Sequence, residues 1–146
     1  MAESVLAVQS IQKAFGALKV LRDVSFAAAR GDVVSIIGAS GSGKSTLLRC
    51  MNLLETPDGG DVRFHGQSIL APGFPLSRYR AQVGMVFQQF NLFSNMDALE
   101  NCVRGQVKVL GVPRAEARDR AMGYLKQVGM EAFAAARPQQ LSGGQR

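Results

Sequence analysis

Gly38-Ala39-Ser40-Gly41-Ser42-Gly43-Lys44-Ser45-Thr46 is the stretch whose reading decides the fold. It fits the pattern GxxxxGK[ST], a phosphate-cradling loop that has physical meaning only between a buried strand and a helix. Both neighbours are written in the sequence. Upstream, Val33-Val34-Ser35-Ile36-Ile37 is a nearly continuous apolar run, the pattern of a strand covered on both faces in a parallel sheet. Downstream, Lys44 to Leu54 carries Leu47, Leu48, Met51 and Leu54 at helical spacing, and Thr56-Pro57-Asp58-Gly59-Gly60 stops it. Strand, glycine-rich loop and helix in direct succession predict an α/β fold.

The residue types suit a nucleotide's phosphates. Glycines let successive backbone N–H groups turn inward, and the helix starting near Lys44 adds its positive N-terminal end. Lys44 is expected to reach the β- and γ-phosphates, and Ser45 to place its hydroxyl on a Mg²⁺ ion that bridges them. The expected nucleotide-binding set in this loop is therefore Gly38, Ser40, Gly41, Ser42, Gly43, Lys44, Ser45 and Thr46.

Working outward, Val5 to Gln12 mixes β-branched and polar residues, while Val24, Phe26 and Ala28 alternate with Ser25, Ala27 and Ala29, so two half-buried antiparallel strands are expected. Beyond the helix, Asp61 to His65 reads as a short strand, Gly66 to Pro75 as a turn-rich connection and Val83 to Phe87 as a second buried strand. Gln89 to Asn95 is read as a loop. Ser94 precedes Asp97 by three residues, a capping-box pattern that predicts a helix from about Met96 to Leu110. A further helix is predicted over Arg114 to Val128, with Ala117, Ala121, Leu125 and Val128 on one face and Gly129 closing it.

Composition narrows the class. The chain has 146 residues, 47% of them hydrophobic, enough for a core and against disorder. Its net charge is +6, but Lys and Arg are scattered without interleaved aromatics, so no nucleic-acid partner is expected. No apolar run approaches the roughly 20 residues of a membrane span, and Met1 to Ser10 lacks a leader pattern, so a cytosolic location is expected. Cys50 and Cys102 have no metal-like spacing and are read as free thiols, and His65 as a surface residue.

Leu141-Ser142-Gly143-Gly144-Gln145 is a second, independent motif, and with it the chain resembles the ATP-binding subunits of ABC transporters, whose signature sequence is LSGGQ. The resemblance runs from Lys13-Ala14-Phe15-Gly16 through Gln88 to the last residue. It implies a P-loop NTPase of the ABC type, with an N-terminal antiparallel β region and a partial helical subdomain. The implied division is an ATP-binding core over residues 1–95 and the partial helical subdomain over 96–146. Val33 to Ile37 is expected to lack sheet neighbours, leaving the sheet incomplete. The implied reaction is ATP plus water to ADP plus phosphate, with ATP and Mg²⁺ bound. Phe15 stands where the family's adenine-stacking aromatic stands. Gln88 matches the glutamine that contacts Mg²⁺ or the attacking water, with Gln89 as the rival assignment. Ser142, Gly143, Gly144 and Gln145 are expected to close over the γ-phosphate held by a second subunit in a head-to-tail dimer. The Walker B aspartate, the catalytic glutamate and the switch histidine are expected beyond Arg146, which puts turnover by this chain alone in question.

Within the family, Arg49-Cys50-Met51-Asn52-Leu53-Leu54-Glu55 and Val86-Phe87-Gln88-Gln89-Phe90-Asn91-Leu92-Phe93 look most like the polar amino acid importers. This implies a subunit peripheral on the inner face of the cell membrane, attached through transmembrane permease subunits, with the solute read elsewhere. The alternatives carried are a non-catalytic truncated form and a soluble ABC-type protein acting on nucleic acid.

Overall fold

The computed structural model describes residues 4–146. The structure separates into two compact units, a first ending at Val83 and a second from Gly84 to Arg146, where the sequence reading divides the chain at 95/96.

In the first unit, β1 (Ser4–Phe15) and β2 (Leu18–Ala29) form a long antiparallel hairpin, joined through β1 to β3 (Gly59–Phe64) and then β4 (Gln67–Ser68), in the order β2-β1-β3-β4. The expected antiparallel start is thus present and longer than predicted. Its strands bend where the register shifts, as between Gln9 and Gln12 on β1 opposite β3. Gly60 sits in that bend at φ +85°, and a β-carbon there would lie 2.3 Å from the carbonyl oxygen of Ser10, so no other residue fits.

Helix α1 (Lys44–Met51) lies against this sheet, and Val8, Ile11, Leu21, Leu47, Cys50, Val62, Ile69 and Tyr79 make the buried core. Its inward face is Leu47 and Cys50 rather than the expected four leucine and methionine positions, since Leu48 and Leu54 are exposed. Helix α2 (Leu76–Gln82) was not legible in the sequence. It is short, has no side-chain cap, and is fixed by tertiary contacts. Tyr79 packs edge-on to Phe64 and Phe74 with centroids 5.1 and 5.8 Å away, and its hydroxyl donates to the carbonyl of Met51. Burial pushes the Tyr79 phenol up to about 12. Arg80 donates to the carbonyls of Asn52 and Leu53, so α2 caps the carbonyl end of α1.

Two expected strands are corrected. Val33 to Ile37 and Val83 to Phe87 join no ladder among the described residues, and Val33, Ile37 and Val86 are 94%, 93% and 98% exposed. An apolar run records the burial a segment is suited to, whereas a strand also needs a neighbour to accept its backbone bonds; among the described residues none pairs with it, and for Val33 to Ile37 that lack of sheet neighbours is the one the sequence reading expected.

The second unit is helical. Its α3 (Ala98–Lys108) and α4 (Arg114–Gln127) bury Leu99 and Val103 against Ala117, Ala121 and Leu125, with Ala134 of the following segment. Small alanines on α4 let the helices approach closely. Val128, expected on that face, is 71% exposed because α4 ends before it and Gly129 turns the chain away at φ +70°. The cap of α3 is also corrected: Asp97 itself is the N-cap, its carboxylate accepting from the Glu100 N–H at 2.7 Å, and Ser94 takes no part in the cap. His65 is exposed, Cys50 is buried and Cys102 is exposed, both thiols free.

Candidate functional site

The first unit carries the glycine-rich loop. Residues 38–42 run without regular structure into Gly43, the N-cap of α1, whose φ is +95°. A β-carbon at Gly43 would meet Val20 Cγ1 at 2.9 Å, Leu21 Cδ2 at 3.0 Å and the Val20 carbonyl at 3.2 Å. The loop is therefore pressed onto β2 at a point only glycine permits, in a backbone conformation only glycine adopts freely. Lys44 leads α1, and its Nζ folds back to donate to the carbonyls of Gly38 and Ala39 at 2.8 and 2.7 Å. The ammonium is held across the concave side of the loop.

What lies at the start of α1 is an unopposed positive end. Gly43 supplies no side-chain cap, no acidic residue stands in the first turn, and among the described residues no chain group accepts from the backbone N–H of Lys44, Ser45 or Thr46. Four such donors open every helix, and a terminus whose donors have no chain partner can receive an anion. Ser45, in the same first turn, is exposed.

Phe15 ends β1, at the hairpin tip, with 48% of its surface exposed. About half of an aromatic side chain is thus open to solvent, which a stacked base would need.

The second unit holds the other expected residues. Gln88 is exposed in a segment without regular structure, and Gln89 beside it is exposed too. Leu141, 4% exposed, anchors the signature, while Ser142, Gly143 and Gly144 stand open to solvent. Gln145 Oε1 accepts from the Ser142 N–H at 2.9 Å, half of a capping box, and the Arg146 N–H donates to the Ser142 carbonyl in the first bond of helical kind. The Ser-x-x-Gln spacing in the sequence already carried that capping signal.

The residue set fits a Mg²⁺ ion only in company with phosphates. Among the described residues no group of three or more His, Cys, Asp or Glu could hold a metal, and Mg²⁺ is ordinarily bound by one or two protein oxygens together with substrate phosphates and water.

The sequence profile of ABC transporters matches residues 21–146. This chain belongs to the ABC transporter family. Among its relatives, the nopaline permease ATP-binding protein P of Agrobacterium fabrum is 46% identical, the alignment covering 98% of this chain and 60% of that protein. The arginine/ornithine transport ATP-binding protein AotP of Pseudomonas aeruginosa is 47% identical over 96% of this chain and 59% of that protein. The histidine/lysine/arginine/ornithine transport ATP-binding protein HisP of Escherichia coli is 45% identical over 99% and 61%. The chain thus spans about 60% of the length of the curated relatives it matches. Among solved structures, the dimeric ATP-binding cassette MJ0796 bound to ADP and Pi, in a post-hydrolysis state, superposes with a TM-score of 0.85 at 34% identity, covering 96% of this chain and 64% of that one. The expected ABC-type α/β fold is confirmed by that likeness. No helix among the described residues is long and apolar enough to cross a membrane.

Proposed function

We propose that this chain is the ATP-binding part of an ABC importer subunit, coupling ATP binding and hydrolysis to the uptake of a polar amino acid. The observation that carries the nucleotide reading is the start of α1: free backbone donors, the Gly43 close approach and the Lys44 ammonium converge on one concave loop. The solute class is supported by the printed names of the relatives, which are transport proteins for nopaline, arginine, ornithine, histidine and lysine.

In this reading the N–H groups of the loop Gly38, Ser40, Gly41, Ser42 and Gly43 and of Lys44 to Thr46 bind the phosphate oxygens, and Lys44 exchanges its two carbonyl partners for the β- and γ-phosphates. Phe15 stacks on the base. Ser45 and Gln88 would hold Mg²⁺, which when bound offsets phosphate charge, and Gln88 orients the water that attacks the γ-phosphorus. Ser142, Gly143, Gly144 and Gln145 serve a nucleotide held by a second copy in a head-to-tail dimer. Transmembrane permease subunits are the other partners, placing the protein peripherally on the cytoplasmic face of the membrane. The functional division is an ATP-binding core over 1–95 and a helical subdomain over 96–146.

Calorimetric titration with ATP tests this. Lys44→Ala removes a charge-assisted contact worth roughly 1.5–3 kcal/mol, so affinity should fall about tenfold to a hundredfold. An unchanged affinity would remove the phosphate-cradle assignment.

A further inference from the structure

The segment that leaves α1 grips the end of β1 beside Phe15 through five polar contacts. Lys13 Nζ lies 2.9 Å from Glu55 Oε1 and 3.3 Å from Asp58 Oδ1, and donates to the Thr56 carbonyl at 2.7 Å. The other Asp58 oxygen accepts the Ala14 N–H at 2.7 Å, and the Asp58 N–H donates to the Gln12 carbonyl at 2.8 Å. Three consecutive residues, Gln12 to Ala14, are thereby tied to the far end of the helix whose near end is Lys44.

Lys13 also faces the ring. Its Nζ stands 5.3 Å from the Phe15 centroid, within range of a cation–π contact, and its side chain is only 11% exposed although its residue type ordinarily extends into water. An ammonium so immobilised covers one side of the ring and leaves the remaining surface of a 48% exposed phenyl to a ligand. A phenylalanine at a hairpin tip has two rotatable side-chain bonds and no polar handle, so without such a contact nothing polar would fix its plane.

We propose that Lys13 is a positioning residue for the nucleotide base: tied by Glu55, Thr56 and Asp58 to the helix that begins with Lys44, it seats the Phe15 ring and so sets the span between stacked base and bound phosphates. The inference rests on the base-stacking reading of Phe15 given above. It adds that the ring and the phosphate loop are joined by a strut of this chain's own ion pairs, so that loosening the strut harms base binding while the phosphate cradle survives.

Calorimetry with two ligands, ADP and inorganic tripolyphosphate, separates the contributions. Lys13→Met should weaken ADP about three- to tenfold, the range of a partly desolvated cation–π contact, and leave tripolyphosphate unchanged. The double variant Lys13→Met with Phe15→Ala should bind ADP no more weakly than Phe15→Ala alone, because the two residues act as one. Lys13→Gln, which keeps a donor for the Thr56 carbonyl, should repeat the pattern and serves if Lys13→Met does not fold. Equal losses for both ligands, additive losses in the double variant, or unchanged ADP affinity in Lys13→Met and Lys13→Gln would each overturn the inference. If Phe15→Ala itself left ADP binding unchanged, the stacking reading would fall and this inference with it. A normal Phe15 effect with silent Lys13 variants would remove the strut alone.

Discussion

Helices α1 and α3 begin in opposite ways. At α3 the chain satisfies its own first turn: the N–H of Ala98 donates to the Ala136 carbonyl, that of Leu99 to the Ala134 carbonyl and that of Glu100 to the Asp97 carboxylate, and Glu100 adds an acid to the positive end. At α1 none of these devices is present, and glycine stands where α3 has aspartate. A helix terminus can be satisfied by its own chain or left open to a ligand; α3 shows the first arrangement, and the first turn of α1 has no such partners. The uncapped helix is held in place by other means: Leu47 and Cys50 in the core, and Tyr79 and Arg80 on its last carbonyls.

The largest effect should come from filling the position that lets α1 start where it does. Gly43→Ala places a methyl 2.9 Å from Val20 Cγ1 and 3.2 Å from a backbone carbonyl, at φ +95°. Strained positions of this kind cost roughly 1–3 kcal/mol, and the clash adds to that. Denaturant unfolding should show the loss in the first unit, together with loss of ATP binding. Gly143→Ala in the signature is the matched comparison. Its new methyl meets nothing within 4 Å and its φ is not positive, so stability should change by no more than about 0.5 kcal/mol. Equal costs at the two glycines would mean that the close approach of the loop to β2 does not hold it.

Next in size is the cap of α3. Asp97→Ala removes the acceptor for the Glu100 N–H and should cost about 1 kcal/mol in the second unit, read by hydrogen exchange of the α3 amides. Nucleotide affinity should not move. A fall in ATP binding in this variant would show that the second unit's helix start is not the self-contained device described here.

The same contrast explains how much the sequence disclosed. The glycine-rich loop, α1, α3 and α4 were legible because each is specified locally, by glycine positions, helical spacing and a capping acid within a few residues. Asp97 was assigned to the wrong place in its own box because Ser94 and Asp97 are both competent caps, and the choice between them falls to the chain's return at Ala134 and Ala136. Helix α2 was missed because its reasons are remote: Phe64, Phe74 and the carbonyl end of α1. Val33 to Ile37 was overread as a strand, although its lack of sheet neighbours was expected: apolar content states a preference for burial, and a ladder forms only where a partner is present. Of the candidate site, the residues of the loop could be named from the motif alone. The folding of Lys44 onto the Gly38 and Ala39 carbonyls and the Lys13 strut could not, because both depend on how distant backbone segments are brought together.

The smallest expected effect sharpens the comparison from the acid side. Asp58 plays for β1 the part that Asp97 plays for α3, a carboxylate accepting a backbone N–H, but across a long sequence separation and beside an ammonium. The Ala14 N–H above all holds its carboxyl below the usual aspartate range; burial, the second strongest influence, opposes it, and Lys13 adds to the lowering. A carboxyl depressed in the folded state stabilises that state above its unfolded value, near ~3.9, and the contribution is lost as pH falls through the lower folded value. Stability of the first unit should therefore hold down to about pH 4 and decline below it. Asp58→Asn, which cannot ionise, should be less stable at neutral pH and show a flatter acid limb, while hydrogen exchange in α3 stays as it was. Because Asp58 is exposed, water and salt screen the pair and the change should be modest, shrinking further at high ionic strength. An acid limb identical in the two proteins would mean that the carboxylate at β1 carries none of the linkage, and that the strut's strength lies in Glu55 and the Thr56 carbonyl instead.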